Sequence, residues 1–180
     1  IKTLQSLIED VLIEVAKLNP LMACMFRLSG SEREGTKVIA TNEIDSLCVM
    51  LAITFDKFHL PTEASHHVLK EFVKLKCKDE YRDELQSVLD SNGYLSRGKL
   101  FQNYGATLSK ILADPKLWLK YPNLQRISKK DITGSIATIT PLMVRWHDDV
   151  YAHLEVSIDM VPAIDIPDWK PSWASEHHLL

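Results

Sequence analysis

The run of residues 46–54 (SLCVMLAIT) constrains the fold most, because it is apolar at both alternating sets of positions. Successive side chains of a β-strand point to opposite faces of a sheet, so this strand needs cover on both faces. The run therefore predicts a layered domain with a buried sheet. With 180 residues, 46% of them hydrophobic, the chain is long enough to form one such domain with a sizeable core.

Two other stretches predict helices. In residues 3–19 apolar side chains recur every three or four positions, and Pro20 marks the end of the pattern. Residues 94–113 repeat the same spacing, with Ser96 as the N-cap. The apolar stripe of the first helix comprises Leu4, Leu7, Ile8, Val11, Leu12 and Val15.

Near the end of the chain, residues 134–145 and 150–164 predict two strands. The short polar segment 147–149 between them is typical of a turn, so the strands are expected to form a hairpin. Strands and helices then follow no regular βαβ alternation. The expected class is α+β, with a mixed twisted sheet flanked by helices.

Composition excludes several classes of protein. The net charge of −3 does not fit a chain that is basic throughout and clamps nucleic acid. No apolar run approaches the ~20 residues that span a bilayer, so no membrane partner is expected. The cysteines at positions 24, 48 and 77 form no CxxC pair, which argues against a disulfide framework and against zinc. They favour a reducing compartment, the cytoplasm or alternatively the nucleus.

The candidate chemistry lies in three carboxylates. Glu43 and Asp45 are two residues apart at the start of a strand, which places both on one face. Such neighbours repel each other, and a divalent cation with oxygen ligands, Mg²⁺ or alternatively Mn²⁺, relieves that repulsion. Asp159 is a third candidate, because it lies inside the otherwise apolar strand LEVSIDMVPAI. The alternatives are a solvated strand end for the first two and a structural buried carboxylate for Asp159.

A glycine–serine pair precedes these acids. Gly30 and Ser31 could offer backbone N–H groups and a hydroxyl to a phosphate. A Gly-Ser, then Glu-x-Asp, then a distant strand Asp is the arrangement that two-metal phosphoryl transfer needs, with the ions ~4 Å apart. Each element alone is weak evidence, but their order along the chain favours phosphoryl transfer.

The segment GSEREGTKVIATNEIDSLCVM, residues 30–50, resembles the core motif of cyclic GMP-AMP synthase and its animal relatives, the Mab-type nucleotidyltransferases. Residues 94–112 are similar to the helix between the halves of that family's catalytic sheet, and residues 156–164 to the strand with the third metal ligand. Glu32 and Arg33 depart from the family's usual aromatic pair. The resemblance favours an invertebrate member. The matching positions in the core motif are Gly30, Ser31, Glu34, Lys37, Val38, Asn42, Glu43, Ile44 and Asp45.

The resemblance implies a nucleotidyltransferase core in which residues 3–19 are an N-terminal spine helix. It implies that Glu43, Asp45 and Asp159 are catalytic Mg²⁺ ligands and that Gly30 and Ser31 bind the triphosphate. The implied activity joins ATP and GTP into a cyclic dinucleotide on binding double-stranded RNA or DNA. Residues 1–180 are expected to be the catalytic core without the family's helical C-terminal lobe, and nothing in the sequence supports zinc.

Two further questions stay open at the level of sequence. A basic run near the middle of the chain is typical of a solvated face, or else it belongs to a surface that binds nucleic acid. The chain is either an enzyme or a catalytically silent relative that serves as a scaffold, and a third reading is an enzyme that adds nucleotides to a linear acceptor. The basic run comprises Lys116, Lys120, Arg126, Lys129 and Lys130.

Overall fold

The computed structural model describes residues 2–28, 43–59, 74–127, 142–147 and 154–166. Within these ranges the helices are α1 (Lys2–Leu18), α2 (Arg82–Leu85), α3 (Arg97–Leu112) and α4 (Pro115–Leu119). The strands are β1 (Cys24–Leu28), β2 (Glu43–Met50), β3 (Phe58–His59), β4 (Lys76–Cys77), β5 (Leu124–Arg126), β6 (Leu142–Trp146) and β7 (Leu154–Ala163). Short 3-10 turns connect several of them.

Five of the strands form one mixed sheet in the order β1-β2-β7-β6-β5. Strands β2 and β7 are parallel neighbours at its centre, whereas the other three pairings are antiparallel. Strands β3 and β4 form a separate small ribbon. The central parallel pair joins distant parts of the sequence, which places residues near position 45 beside residues near position 159.

The core lies between the sheet and helices α1 and α3. These helices contact each other, and α1 also contacts β1 while α3 contacts β7. The predicted stripe of the first helix is confirmed, because the same six residues are the buried ones of α1. The Ser96 cap is also confirmed, since its hydroxyl accepts the backbone N–H of Lys99 at 3.3 Å.

The strand predicted at residues 46–54 has different bounds in the structure, and its expected cover on both faces is confirmed only for Cys48–Met50. Strand β2 begins at Glu43 and ends at Met50, and residues 51–53 form a bend. From Glu43 to Leu47 buried side chains alternate with exposed or half-buried ones. Only in Cys48–Met50 are consecutive side chains, on both faces of the strand, buried. One face of β2 is therefore accessible over the half of the strand that carries the acids.

The predicted hairpin is confirmed as a pairing of β6 with β7, in which Trp146 lies opposite Leu154. Strand β6 begins at Leu142, and most of the predicted turn lies outside the described residues. The helix predicted from residue 94 starts at Arg97, because Ser96 caps it. The overall class is α+β, as expected from the sequence.

Candidate metal centre

The three predicted carboxylates converge. Glu43 and Asp45 lie on β2, and Asp159 lies on the neighbouring strand β7, directly opposite Asp45 in the parallel register. One ligand oxygen from each of the three side chains lies within 4.8 Å of the other two. The prediction that these residues approach one another is thus confirmed, and the approach depends on the central parallel pair of strands.

Strand alternation explains why the acids share an accessible face. Asp45 and Asp159 are half-buried and Glu43 is exposed, whereas Ile44 and Ile158 point to the opposite side and are buried in the core. The apolar side chains hold each strand against the helices, and this orients the intervening carboxylates away from the core. The packing of the core therefore determines that the three carboxylates lie on the accessible face of the sheet.

Burial and two neighbouring acids together set the electrostatics of Asp159. Burial raises the pKa of its carboxyl above the ordinary value, and the negative charges of Glu43 and Asp45 raise that pKa further. A hydrogen bond from the Ser157 side chain acts in the opposite direction and lowers it. A cation held among the three carboxylates would offset the repulsion that raises this pKa.

Two arginines of the sheet, Arg27 and Arg145, are ion-paired. Arg27 on β1 donates to the Asp165 carboxylate at 3.0 Å, and Arg145 on β6 pairs with Glu155 on β7 at 2.5 Å. Sequence reasoning did not identify these pairs. Arg145 and Glu155 are register partners, so only the strand pairing could have revealed them.

The chemistry of the donor set fits a hard divalent cation. Three carboxylates offer oxygen ligands only, which are the ligands that Mg²⁺ and Mn²⁺ accept readily. By contrast, the three thiols are free and buried, and Cys24 Sγ lies 3.6 Å from the hydroxyl oxygen of Tyr104 in the core. Cys24 and Cys48 thus act as small buried residues of the core.

The described part of the basic run is largely engaged within the protein. Lys120 donates to the Asp10 carboxylate at 2.9 Å, and Arg126 donates to the carbonyl oxygen of Leu112 at 2.9 Å. Lys116 is exposed. Lys129 and Lys130 lie outside the described residues, as do Gly30 and Ser31 of the predicted phosphate-binding element.

Comparison with known proteins places this chain in a family. The family model for the Mab-21 protein nucleotidyltransferase domain matches residues 32–179. Since this range covers more than half of the chain, the chain belongs to the Mab-21 family of nucleotidyltransferases. The matched range contains Glu43, Asp45 and Asp159, and Gly30 and Ser31 immediately precede it. Among curated proteins, no sequence matches the chain.

Membership of this family defines the chemistry in outline. A nucleotidyltransferase domain takes nucleoside triphosphates as substrates, and such domains typically use divalent metal ions. Among the described residues, no helix has the length and apolar character needed to cross a membrane.

Proposed function

We propose that this chain is the catalytic core of an enzyme that joins ATP and GTP into a cyclic dinucleotide when double-stranded nucleic acid binds. The observation that carries the proposal is the cluster of Glu43, Asp45 and Asp159, whose ligand oxygens lie within 4.8 Å of one another. The product and its activator come from the resemblance to the cyclic GMP-AMP synthase family. The cytoplasm, with the nucleus as the alternative, is the proposed location.

Each residue of the site has a proposed role. Glu43, Asp45 and Asp159 hold the divalent ions, which supply charge stabilisation for the transferring phosphoryl group and acidify the attacking hydroxyl. Gly30 and Ser31 contribute backbone N–H groups and a hydroxyl that orient the triphosphate. By fixing the three carboxylates before substrate arrives, strands β2 and β7 lower the entropic cost of bringing the hydroxyl into line with the phosphate.

Retention of all three carboxylates favours an enzyme over a catalytically silent scaffold. Like charges that share a site reduce the stability of the fold. Burial raises the pKa of Asp159 most, and the charges of Glu43 and Asp45 raise that pKa further. A scaffold gains nothing from this repulsion, and replacement of one acid by an amide would relieve it. A metal-binding role gives the three residues a reason to remain together.

The proposal is tested by product analysis with the protein that contains this chain. ATP, GTP and Mg²⁺ are supplied with double-stranded RNA, with double-stranded DNA or with neither, and released pyrophosphate is measured. Products are then treated with phosphatase, because a cyclic dinucleotide has no terminal phosphate to remove. Asp45→Asn is expected to abolish turnover. Glu155→Gln is the matched control, since Glu155 is a carboxylate of β7 that pairs with Arg145.

The outcomes separate the three functional classes. Pyrophosphate release with a phosphatase-resistant product, dependent on duplex and on Asp45, supports the proposal. Pyrophosphate release with linear, phosphatase-sensitive products would instead indicate transfer to a linear acceptor. Absence of pyrophosphate release under every condition, from protein shown to be folded, would favour the silent scaffold.

A further inference from the structure

Ser46 is a buried polar residue beside the acids. It follows Asp45 on β2, only 1% of its surface is exposed, and its side chain lies on the core side of the strand. Its hydroxyl donates to the backbone carbonyl oxygen of Asp159 at 2.7 Å. This bond crosses from the strand that carries two of the acids to the strand that carries the third.

A hydroxyl at this buried position needs a hydrogen-bond partner, which an apolar side chain would not need. The surrounding segment is SLCVMLAIT, and an alanine or valine at position 46 would continue its apolar character without burying a polar group. The backbone of β2 and β7 already pairs over seven residue positions, so the sheet does not need this bond to form. It adds one side-chain link between β2 and the backbone of Asp159.

Thr107 provides an instructive contrast. It is the other buried polar residue among the described ones, with 5% exposure, and its hydroxyl donates to the carbonyl oxygen of Asn103 at 2.8 Å. That bond lies within helix α3, one turn away in the same element. Thr107 and Ser46 therefore make the same kind of bond in the core, but only the bond of Ser46 joins two strands of the metal centre.

We propose that Ser46 is a positioning residue for the metal centre, whose hydroxyl holds the backbone of Asp159 against β2 so that its carboxylate stays within reach of Asp45 and Glu43. The inference rests on the proposed function, because it presumes that the three acids bind divalent ions. Groups that orient metal ligands without touching the metal typically contribute about tenfold or more to metal affinity.

The experiment measures Mn²⁺ affinity by electron paramagnetic resonance in wild-type protein and in four variants. Ser46→Ala is expected to weaken Mn²⁺ binding about tenfold. Ser46→Thr keeps the hydroxyl on a side chain suited to strands and is expected to retain most of the affinity. Thr107→Val is the matched control, expected to lose stability without losing Mn²⁺ affinity. Asp45→Asn reports whether the Mn²⁺ measured is bound at the acids.

The results distinguish failure of this inference from failure of the proposed function. Equal Mn²⁺ affinity in Ser46→Ala and Thr107→Val, with binding lost in Asp45→Asn, would overturn the positioning role alone. Equal affinity in wild type and Asp45→Asn would instead overturn the metal centre on which both rest. If Ser46→Ala does not fold, Ser46→Cys keeps nearly the same volume with only a weak donor, and the same two comparisons apply.

Discussion

Asp45 and Asp159 lie opposite each other on parallel strands β2 and β7, with Glu43 two positions before Asp45 on the same face. The apolar neighbours Ile44 on β2 and Ile158 on β7 pack into the core on the other side of the sheet. The site is thus held by the buried face of the two central strands. Substitution of its acids is therefore expected to change charge and metal binding far more than the fold.

The first prediction concerns Asp45→Asn. Without divalent ions the variant is expected to melt at the same temperature as wild type or higher, because one of three repelling charges is removed. Addition of Mg²⁺ is expected to raise the melting temperature of wild type, since a ligand that binds only the folded state stabilises it. The variant should show a much smaller rise. Thermal unfolding followed by circular dichroism measures both, and an equal Mg²⁺ effect in the two proteins would contradict the assignment of Asp45 as a ligand.

The second prediction concerns the contact between helix α1 and the segment after α4. The Asp10 carboxylate accepts hydrogen bonds from Lys120 and from the hydroxyl of Tyr121, each at 2.9 Å. The bond from Lys120 and then that from Tyr121 lower the pKa of Asp10 below its usual 3.8. A lowered folded-state pKa gives stability that is present above pH 3.8 and is lost as the pH falls through the folded value.

Asp10→Asn is therefore expected to reduce the free energy of unfolding at pH 7 by about 0.5–1 kcal/mol, since the pair is partly exposed and screened by solvent. The difference from wild type should shrink as the pH falls below 3.8. Urea unfolding at several pH values measures it. A difference that persists undiminished at the lowest pH would show that packing, and not the charge of Asp10, is responsible.

The third prediction concerns Arg126, which the sequence grouped with the basic run. Its guanidinium donates to the carbonyl oxygen of Leu112 at the C-terminal end of α3, where the Trp118 indole N–H also donates at 2.9 Å. A positive charge at this end of a helix is favourable, so Arg126→Gln is expected to lower the free energy of unfolding by about 1 kcal/mol. Lys116→Gln, at an exposed position of the same run, is the control and should leave stability unchanged. Equal stability of the two variants would show that the Arg126 side chain does not stabilise the fold and could instead contact nucleic acid.

The fourth prediction tests the proposed activation. If the basic run contacts duplex nucleic acid, the double substitution of Lys129 and Lys130 by Glu should reduce duplex-stimulated turnover and the steepness with which affinity falls with salt. Basal binding of nucleotide should not change, which equilibrium binding of a fluorescent ATP analogue measures. Unchanged stimulation in the double variant would identify the run as a solvated face.

The spacing of apolar residues predicted correctly those elements in which the same face is buried from end to end. The stripe of α1 was correct because a single face of that helix is buried, and Ser96 was found because capping is local chemistry. The predicted end of β2 was wrong because residues 51–53 form a bend, and the backbone N–H of Leu51 donates to the carbonyl oxygen of Ala23. Whether an apolar residue continues a strand depends on its partner strand, which the sequence does not reveal.

The acids of the candidate site were also predictable, because Glu43 and Asp45 share one face at the start of a strand and Asp159 interrupts an apolar strand. Their supporting residues were not. By its pattern Ser46 is the first residue of an apolar run, and its bond to Asp159 depends on the parallel register of β2 with β7. Lys120 and Arg126 looked like free cations because their acceptors, on α1 and at the end of α3, come from other elements.

The central claim, that three carboxylates on β2 and β7 form one divalent metal centre, is tested most directly by anomalous X-ray diffraction. Crystals of the protein are grown with Mn²⁺ and a non-hydrolysable ATP analogue, and data are collected at the manganese absorption edge. The account predicts anomalous density within coordination distance of Glu43, Asp45 and Asp159, with the triphosphate of the analogue on the same ions. Manganese density elsewhere, with the analogue bound and Asp159 contacting no ion, would contradict it.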